Sequence, residues 1–170
     1  MGLHLEPDAL ALMRQWRAAM AADSFVMFTT LGPGSLASLR GLYAECGWGE
    51  CHAPFTDMHD LGDMLVEAGF AEPVMDVERI TLTYEVPGRL IAELRELGRN
   101  LHVDRFPGLR TPRWRARLEE VLPQVGAGEG MALSFEVIYG HAMKPAPRIS
   151  VAKESAVSLD AMRSMLRQGR

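Results

Sequence analysis

Between residues 54 and 84, apolar positions recur first at helical spacing and then at alternate positions, and this change of period marks a helix followed by a strand. Met58, Leu61, Leu65 and Ala68 form the apolar face of the helix, with Asp60, Asp63 and Glu67 on its polar side. Thr56 or Asp57 is suited to cap the start. Gly69 can end the helix in the left-handed conformation, with Phe70 folding back onto the last turn, and Pro73 forbids continuation. From Val74 the period is two: Met75 and Val77 alternate with Asp76 and Glu78. Beyond Arg79 the phase slips by one, so that Ile80, Leu82 and Tyr84 alternate with Thr81 and Thr83. The slip predicts a bulge or a break into two strands.

The same logic extends in both directions. A first helix starts near Pro7 or Asp8, with Leu12, Met13, Trp16 and Met20 as its buried stripe and Arg14, Gln15 and Arg17 toward water. The run from Ser24 to Leu31 is almost wholly apolar or β-branched, which predicts a central, parallel strand covered on both faces. Gly32, Pro33 and Gly34 break it, and Ser35 is placed to cap a helix carrying Leu36, Leu39, Leu42 and Tyr43. Residues 47–54 read as a loop. Past Tyr84, a helix carries Leu90, Ile91, Leu94 and Leu97 opposite Arg89, Glu93, Arg95 and Glu96, and Gly98 ends it. Residues 101–111 have no period. Pro112 then opens a helix with Trp114, Leu118, Val121 and Leu122 inward, stopped by Pro123. Leu133, Phe135, Val137 and Tyr139 alternate with Ser134 and Glu136 in a long strand over residues 131–143. The expected organisation is one α/β domain over residues 1–144, followed by a linker and a short terminal helix over residues 145–170, with Leu159, Met162 and Met165 apolar.

A chain of 170 residues that is 48% hydrophobic and 24% charged can bury one real core. Its net charge of −4 argues against non-specific binding to nucleic acid or anionic membranes as the main task. No apolar run reaches the ~20 residues of a bilayer span, and the amino terminus lacks the pattern of a secretory signal. Two cysteines, Cys46 and Cys51, suit a reducing cytoplasm.

Four segments narrow the picture: F-V-M-F-T-T-L-G-P-G-S-L from Phe25, P-F-T-D-M-H-D-L-G-D-M-L-V-E-A-G-F from Pro54, P-V-M-D-V-E-R-I-T-L-T-Y from Pro73 and F-E-V-I-Y-G-H-A from Phe135. Together they resemble the malonyl-[acyl-carrier protein] O-methyltransferases of biotin synthesis, over most of residues 3–144. The resemblance implies the C-terminal half of a Rossmann-like class I methyltransferase sheet, with a helical insert before a last strand that enters antiparallel between its neighbours. It also implies S-adenosylmethionine as cofactor of the full-length family and acyl carrier protein as partner. The cofactor-binding half is not matched, so this chain alone is expected to be inactive and to bind no cofactor. The competing class is a non-enzymatic partner or regulator retaining acceptor recognition.

Gly126, Gly128 and Gly130 spell G-x-G-x-G, but that motif cradles phosphates only between a buried strand and a helix N-terminus, whereas here a helix precedes and a strand follows. Cys46, Cys51, His52, His59 and Asp57 have the atom types of zinc ligands without the close paired spacing, so no metal site is expected. Asp60, Asp63 and Glu67 read as a solvated face. No nucleophile motif stands out and no catalytic residue is assigned, which suits carboxyl methylation, where the acceptor is already an anion and catalysis is mostly orientation and water exclusion. Ligands of open α/β sheets sit beyond the carboxyl ends of strands. This places His4, Leu5, Thr29, Thr30, Leu31 and Gly32 at the rim of an acceptor pocket, with Phe55, Met58 and His59 closing it. Finally, Arg105, Arg110, Arg113, Arg115 and Arg117 fall within thirteen residues that hold no acid. They are either a solvated face pairing with Glu119 and Glu120 or, as the resemblance implies, a docking surface for the acidic carrier protein. Nucleic acid is disfavoured by the overall charge. A strand 24–31 left without its neighbour would also expose an edge that invites a homodimer.

Overall fold

The computed structural model describes residues 2–126, 130–146 and 159–168. A 3-10 turn, Leu3–Leu5, leads into α1 (Ala9–Ala19), β1 (Ser24–Leu31), α2 (Ala37–Glu45), α3 (Met58–Glu67), β2 (Ala71–Tyr84), α4 (Pro87–Glu96), α5 (Pro112–Val121), a second 3-10 turn (Leu122–Gln124), β3 (Met131–Lys144) and α6 (Leu159–Gln168). Of the linker expected after residue 144, residues 147–158 lie outside the described residues, as do the middle of the G-x-G-x-G stretch and the side chain of Met165. Leu159 and Met162 of α6 are exposed. No helix among the described residues is long and apolar enough to cross a membrane.

The described sheet has three strands in the order β1-β3-β2, with β3 antiparallel to both neighbours. The last strand therefore inserts between the two earlier ones, which run in the same direction. The expectation of a central, parallel, doubly covered β1 is corrected in each respect. Its ladder is antiparallel and lies on one side only, and Phe25 and Met27 stand 58% and 71% exposed while Val26 and Phe28 pack inward. An apolar run cannot by itself distinguish a strand buried on both faces from one that presents apolar side chains to solvent.

Helix ends follow local chemistry. Asp8 Oδ1 accepts from the Ala11 amide at 2.8 Å, and Asp57 Oδ1 accepts from the His59 amide at 2.8 Å. At the end of α3 the Gly69 amide donates to Val66 and the Phe70 amide to Leu65, with Gly69 at φ 90°, the paired bonds of a Schellman stop. Arg17 does not face water only: its Nε donates to the Gly69 carbonyl at 2.9 Å, tying α1 to this stop. Ser35 does not cap α2. It is fully buried, and its hydroxyl donates to the Glu136 carbonyl and accepts from the Glu136 amide. The first residue of α2 is preceded instead by Leu36 in the left-handed region at φ 56°. That conformation costs about 1–2 kcal/mol for an L-residue, offset by burial of the leucine side chain, about 1.5–3 kcal/mol, and by its amide bond to the Ser134 carbonyl at 2.8 Å.

The register of β2 on β3 runs unbroken from Val74 to Tyr84, so the phase slip at Arg79 is neither a bulge nor a break. The irregularity sits earlier, between Ala71 and Val74, where Glu72 takes φ 52° and Pro73 needs no ladder partner. The apparent slip arises because the sheet changes its covered face along its length. Leu133, Phe135 and Val137 of β3 pack with Leu31 and Tyr84 against the helices α2, α4 and α5. Ile138 and Ala142, which point to the opposite face, pack with Val26 and Phe28 against α1 and α3. Tyr139, grouped by sequence with the inward positions, is 39% exposed because its side of the sheet is uncovered by then, and Leu97, just past the end of α4, is 53% exposed.

Candidate functional site: an apolar cavity at the carboxyl ends of two strands

The face carrying Phe135 and Val137 encloses a cavity of about 1180 Å³ between the ends of β1 and β2, the helices α4 and α5, and the loops around residues 51–55 and 98–112. Its floor is apolar: Leu31, Ile80, Leu82 and Phe135 from the strands, Ile91 and Leu94 from α4, and Leu118 from α5. The volume exceeds a typical small-ligand pocket of roughly 300–1,000 Å³. It lies over the sheet face toward the carboxyl ends of β1 and β2, the end of the strands at which open α/β sheets hold ligands.

Two runs of aromatic contact form the walls. His52 stacks on Phe55 at 4.5 Å with 10° between planes, and His4 meets the same Phe55 edge-on at 6.0 Å. Across the cavity Trp114 meets Tyr43 at 6.3 Å and Trp48 at 5.3 Å. The Arg110 guanidinium lies 4.5 Å from the Trp114 ring centre and 4.0 Å from that of Phe106, and it donates to the Trp48 carbonyl at 2.6 Å. Cation–π contact and a charge-assisted hydrogen bond thus fix Arg110 as part of the wall.

Burial shifts several titratable groups of the lining toward their uncharged forms. Burial lowers the pKa of His52 and of His4 from the usual imidazole value. Burial pushes the Cys51 thiol up to about 11, which leaves it a thiol at neutral pH. Tyr84 is pushed up to about 12 by burial and by its hydrogen bond to Glu93. Among the described residues, three buried side-chain nitrogens have no hydrogen-bond partner: His4 Nδ1, His52 Nε2 and Trp114 Nε1. All three residues line this one cavity.

Of the residues expected at an acceptor pocket, His4, Leu5, Leu31 and Phe55 line the cavity. Thr30 is buried on the opposite face, and Thr29 borders a separate shallow hollow of about 390 Å³ with Met27, Tyr139 and His141. Gly32 packs against Glu136, where an added Cβ would collide with the carboxylate. Met58 packs with the α1 and α3 core, and His59 is exposed at the start of α3, its ring 2.9 Å from Asp57. Of the arginines, Arg110 and Arg115 border the cavity. Arg115 also pairs with Glu119 and Arg117 with Glu120, at 2.9 and 2.7 Å, Arg105 bonds the His102 carbonyl, and Arg113 is exposed. Sequence reasoning missed His52, Tyr43 and Trp114 as cavity walls. The available signal was the inward stripe of Ile80, Leu82 and Tyr84, which needs an opposing apolar face. No group of three or more His, Cys, Asp or Glu among the described residues could hold a metal ion.

No family model matches the chain. A solved structure of a candidate methyltransferase from Bacillus halodurans superposes with a TM-score of 0.53 over 86% of this chain and 67% of its own, at 14% identity, and so shares the Rossmann-like methyltransferase fold. Malonyl-[acyl-carrier protein] O-methyltransferases are closer in sequence: that of Gallionella capsiferriformans is 40% identical over 144 residues, that of Laribacter hongkongensis 38% over 143 and that of Halorhodospira halophila 37% over 145. The match takes in 84% of this chain in each case, and 50%, 48% and 49% of the respective relatives. The chain, which spans about half the length of the curated relatives it matches, is related in sequence to the malonyl-[acyl-carrier protein] O-methyltransferases.

Proposed function

We propose that this chain is the acceptor-recognition half, the C-terminal portion, of a malonyl-[acyl-carrier protein] O-methyltransferase that methylates a carboxylate in the cytoplasm during biotin synthesis. The observation that carries this reading is 40% identity over 144 residues to a protein of that name. The apolar cavity over the sheet, toward the carboxyl ends of β1 and β2, supports it. A carboxylate is ionised at neutral pH, so no base is required of this chain, and its task is to hold the acceptor chain and keep water out. The full-length family uses S-adenosylmethionine under this reading. The G-x-G-x-G stretch lies between a 3-10 turn and β3, whereas the phosphate-binding form needs a strand before and a helix after, and this supports the reading that the cofactor is held outside this chain.

Acyl carrier protein is the proposed partner. Arg105, Arg113 and Arg117 present positive charge outside the cavity and Arg115 at its border, while Arg110 is committed to its wall. Triple substitution of Arg113, Arg115 and Arg117 by Glu is expected to weaken binding of a malonyl carrier protein at least tenfold at low salt, with the difference shrinking as salt screens the charges. Unchanged affinity would remove the docking role. Fusion to the amino-terminal half of the Gallionella capsiferriformans relative is expected to restore methyl-ester formation on the malonyl carrier. A folded fusion without that product would overturn the enzyme assignment.

A further inference from the structure

We propose that α6 is a latch, an amphipathic helix that seats its apolar stripe on the uncovered outer face of the sheet, beside the point where β3 ends. The register builds that face. Met27, His141 and Val74 stand in one row across the three strands, and Thr29, Tyr139 and Asp76 in the next. Residues opposite one another in a ladder point to the same side, so Phe25, Met27, Val74 and Tyr139 belong to one patch, and all four are exposed. The Phe25 ring lies 5.4 Å from that of His141. Met27, Val74, Tyr139 and His141 border the hollow of about 390 Å³, room for an inserted side chain. On the β2 side the rim is acidic, with Asp76 and with Glu78, which accepts from the Tyr139 hydroxyl at 3.1 Å. Neither carboxylate has an ion pair among the described residues.

The sequence of α6 carries the complement. Leu159, Met162 and Leu166 recur at i, i+3 and i+7, and helical spacing sets Arg163 and Arg167 along one flank of that stripe. Leu159 and Met162 are exposed, and Arg163 has only a loose, solvated contact with Asp160 at 3.9 Å. A helix this short is marginal in water without a surface to pack on. Covalent connection supplies one. β3 ends at Lys144, opposite Ser24 and one register step from Phe25. Residues 145–158 reach at most about 50 Å, and such a tether holds helix and face at roughly millimolar effective concentration. With its arginine flank toward β2, α6 sets Arg163 and Arg167 against Asp76 and Glu78 and lays its stripe over Phe25, Met27 and His141. A second copy would bring the same acidic rim to this face, where α6 brings arginines. The backbone edge of β1 stays open in either state.

The full chain, labelled with 13C at the methionine methyl groups, tests the latch. The Met27 signal is assigned by its loss in Met27→Leu, and an uncharged gadolinium chelate in solution reports its exposure. Relaxation of the Met27 methyl by the chelate is expected to be about threefold weaker in wild type than in the double variant Leu159→Asp with Met162→Asp, the contrast between a face mostly covered and one left open. The methyl of Met13, fully buried in the core that α1 and α3 cover, should respond equally in both and so report an intact fold. Reversing Asp76 and Glu78 to Arg should expose Met27, and adding Arg163→Glu with Arg167→Glu should shield it again. Equal relaxation in wild type and the double variant would overturn the latch. Shielding that disappears on dilution would also overturn it and assign the face to a second copy. Failure of the reversed charges to restore shielding would overturn the seat on Asp76 and Glu78.

Discussion

Ser35 shows how much one buried hydroxyl can hold. It joins the loop after β1 to the middle strand through both backbone groups of Glu136, beside the Gly32 amide, which donates to the same carbonyl at 2.8 Å. Ser35→Ala leaves a buried amide without its acceptor and is expected to lower unfolding free energy by about 1–3 kcal/mol, measured by urea denaturation. Gly34 faces the same strand, and a methyl group there would displace only the end of the flexible Glu136 side chain, so Gly34→Ala should cost less than Ser35→Ala. His52 and His4 give a second expectation. Their folded pKa values lie below 6.5, so in the window below pH 6.5 the unfolded chain binds more protons than the folded one. Stability then falls as pH drops through that window and levels once the folded pKa is passed. The double change His4→Gln and His52→Gln should flatten the dependence between pH 7.5 and 5 in chemical denaturation. Neither role of these residues is visible locally. Ser35 has the residue type and position of a helix cap, and its partner lies 101 residues away. Arg110 sits in a run of arginines that looks uniform until Trp48 and Trp114 enclose it.

At the scale of elements, local signals located most boundaries. The strand predicted over residues 24–31 is β1, and Asp57, Gly69 and Phe70 start and close α3 through contacts within a few residues of each other. What periodicity could not supply was coverage. A run of alternating side chains says which residues share a face, while the neighbour that covers the face is set by distant chain. The uncovered stretch of β1 carries the physical consequence. Its outer backbone edge has no ladder partner among the described residues, and Phe25 and Met27 stand beside it. Such an edge recruits strands. The chain is expected to associate with rising concentration in light scattering, and Met27→Lys to suppress that association. A wild-type protein that stays monomeric across a hundredfold concentration range would contradict this.

At the scale of the molecule, the two cores lie on opposite faces and toward opposite ends of one sheet. The cavity belongs to only one of them. The order of strands followed from the family resemblance, whereas the cavity depended on packing α4 and α5 over β2, which no single segment encodes. The helices α1 and α3 serve the other core and touch the site through the Leu3–Leu5 turn at most, since Leu3 packs with them while His4 lines the cavity. Substitutions such as Leu61→Ala should therefore cost stability, about 2–5 kcal/mol, with little change in ligand affinity.

All three strands reach both cores, and β3 supplies the buried centre of each: Val137 closes the first and the adjacent Ile138 belongs to the second. Opening either half alone leaves this strand bonded to the other half. In hydrogen–deuterium exchange, the amides of α4 and α5 are then expected to exchange as one group and those of α1 and α3 as another. Amides at the centre of β3 should be the slowest, exchanging only when the whole molecule unfolds. A ligand in the cavity would slow the first group and leave the second at its original rate, so that one side of the sheet reports occupancy while the other serves as an internal clock.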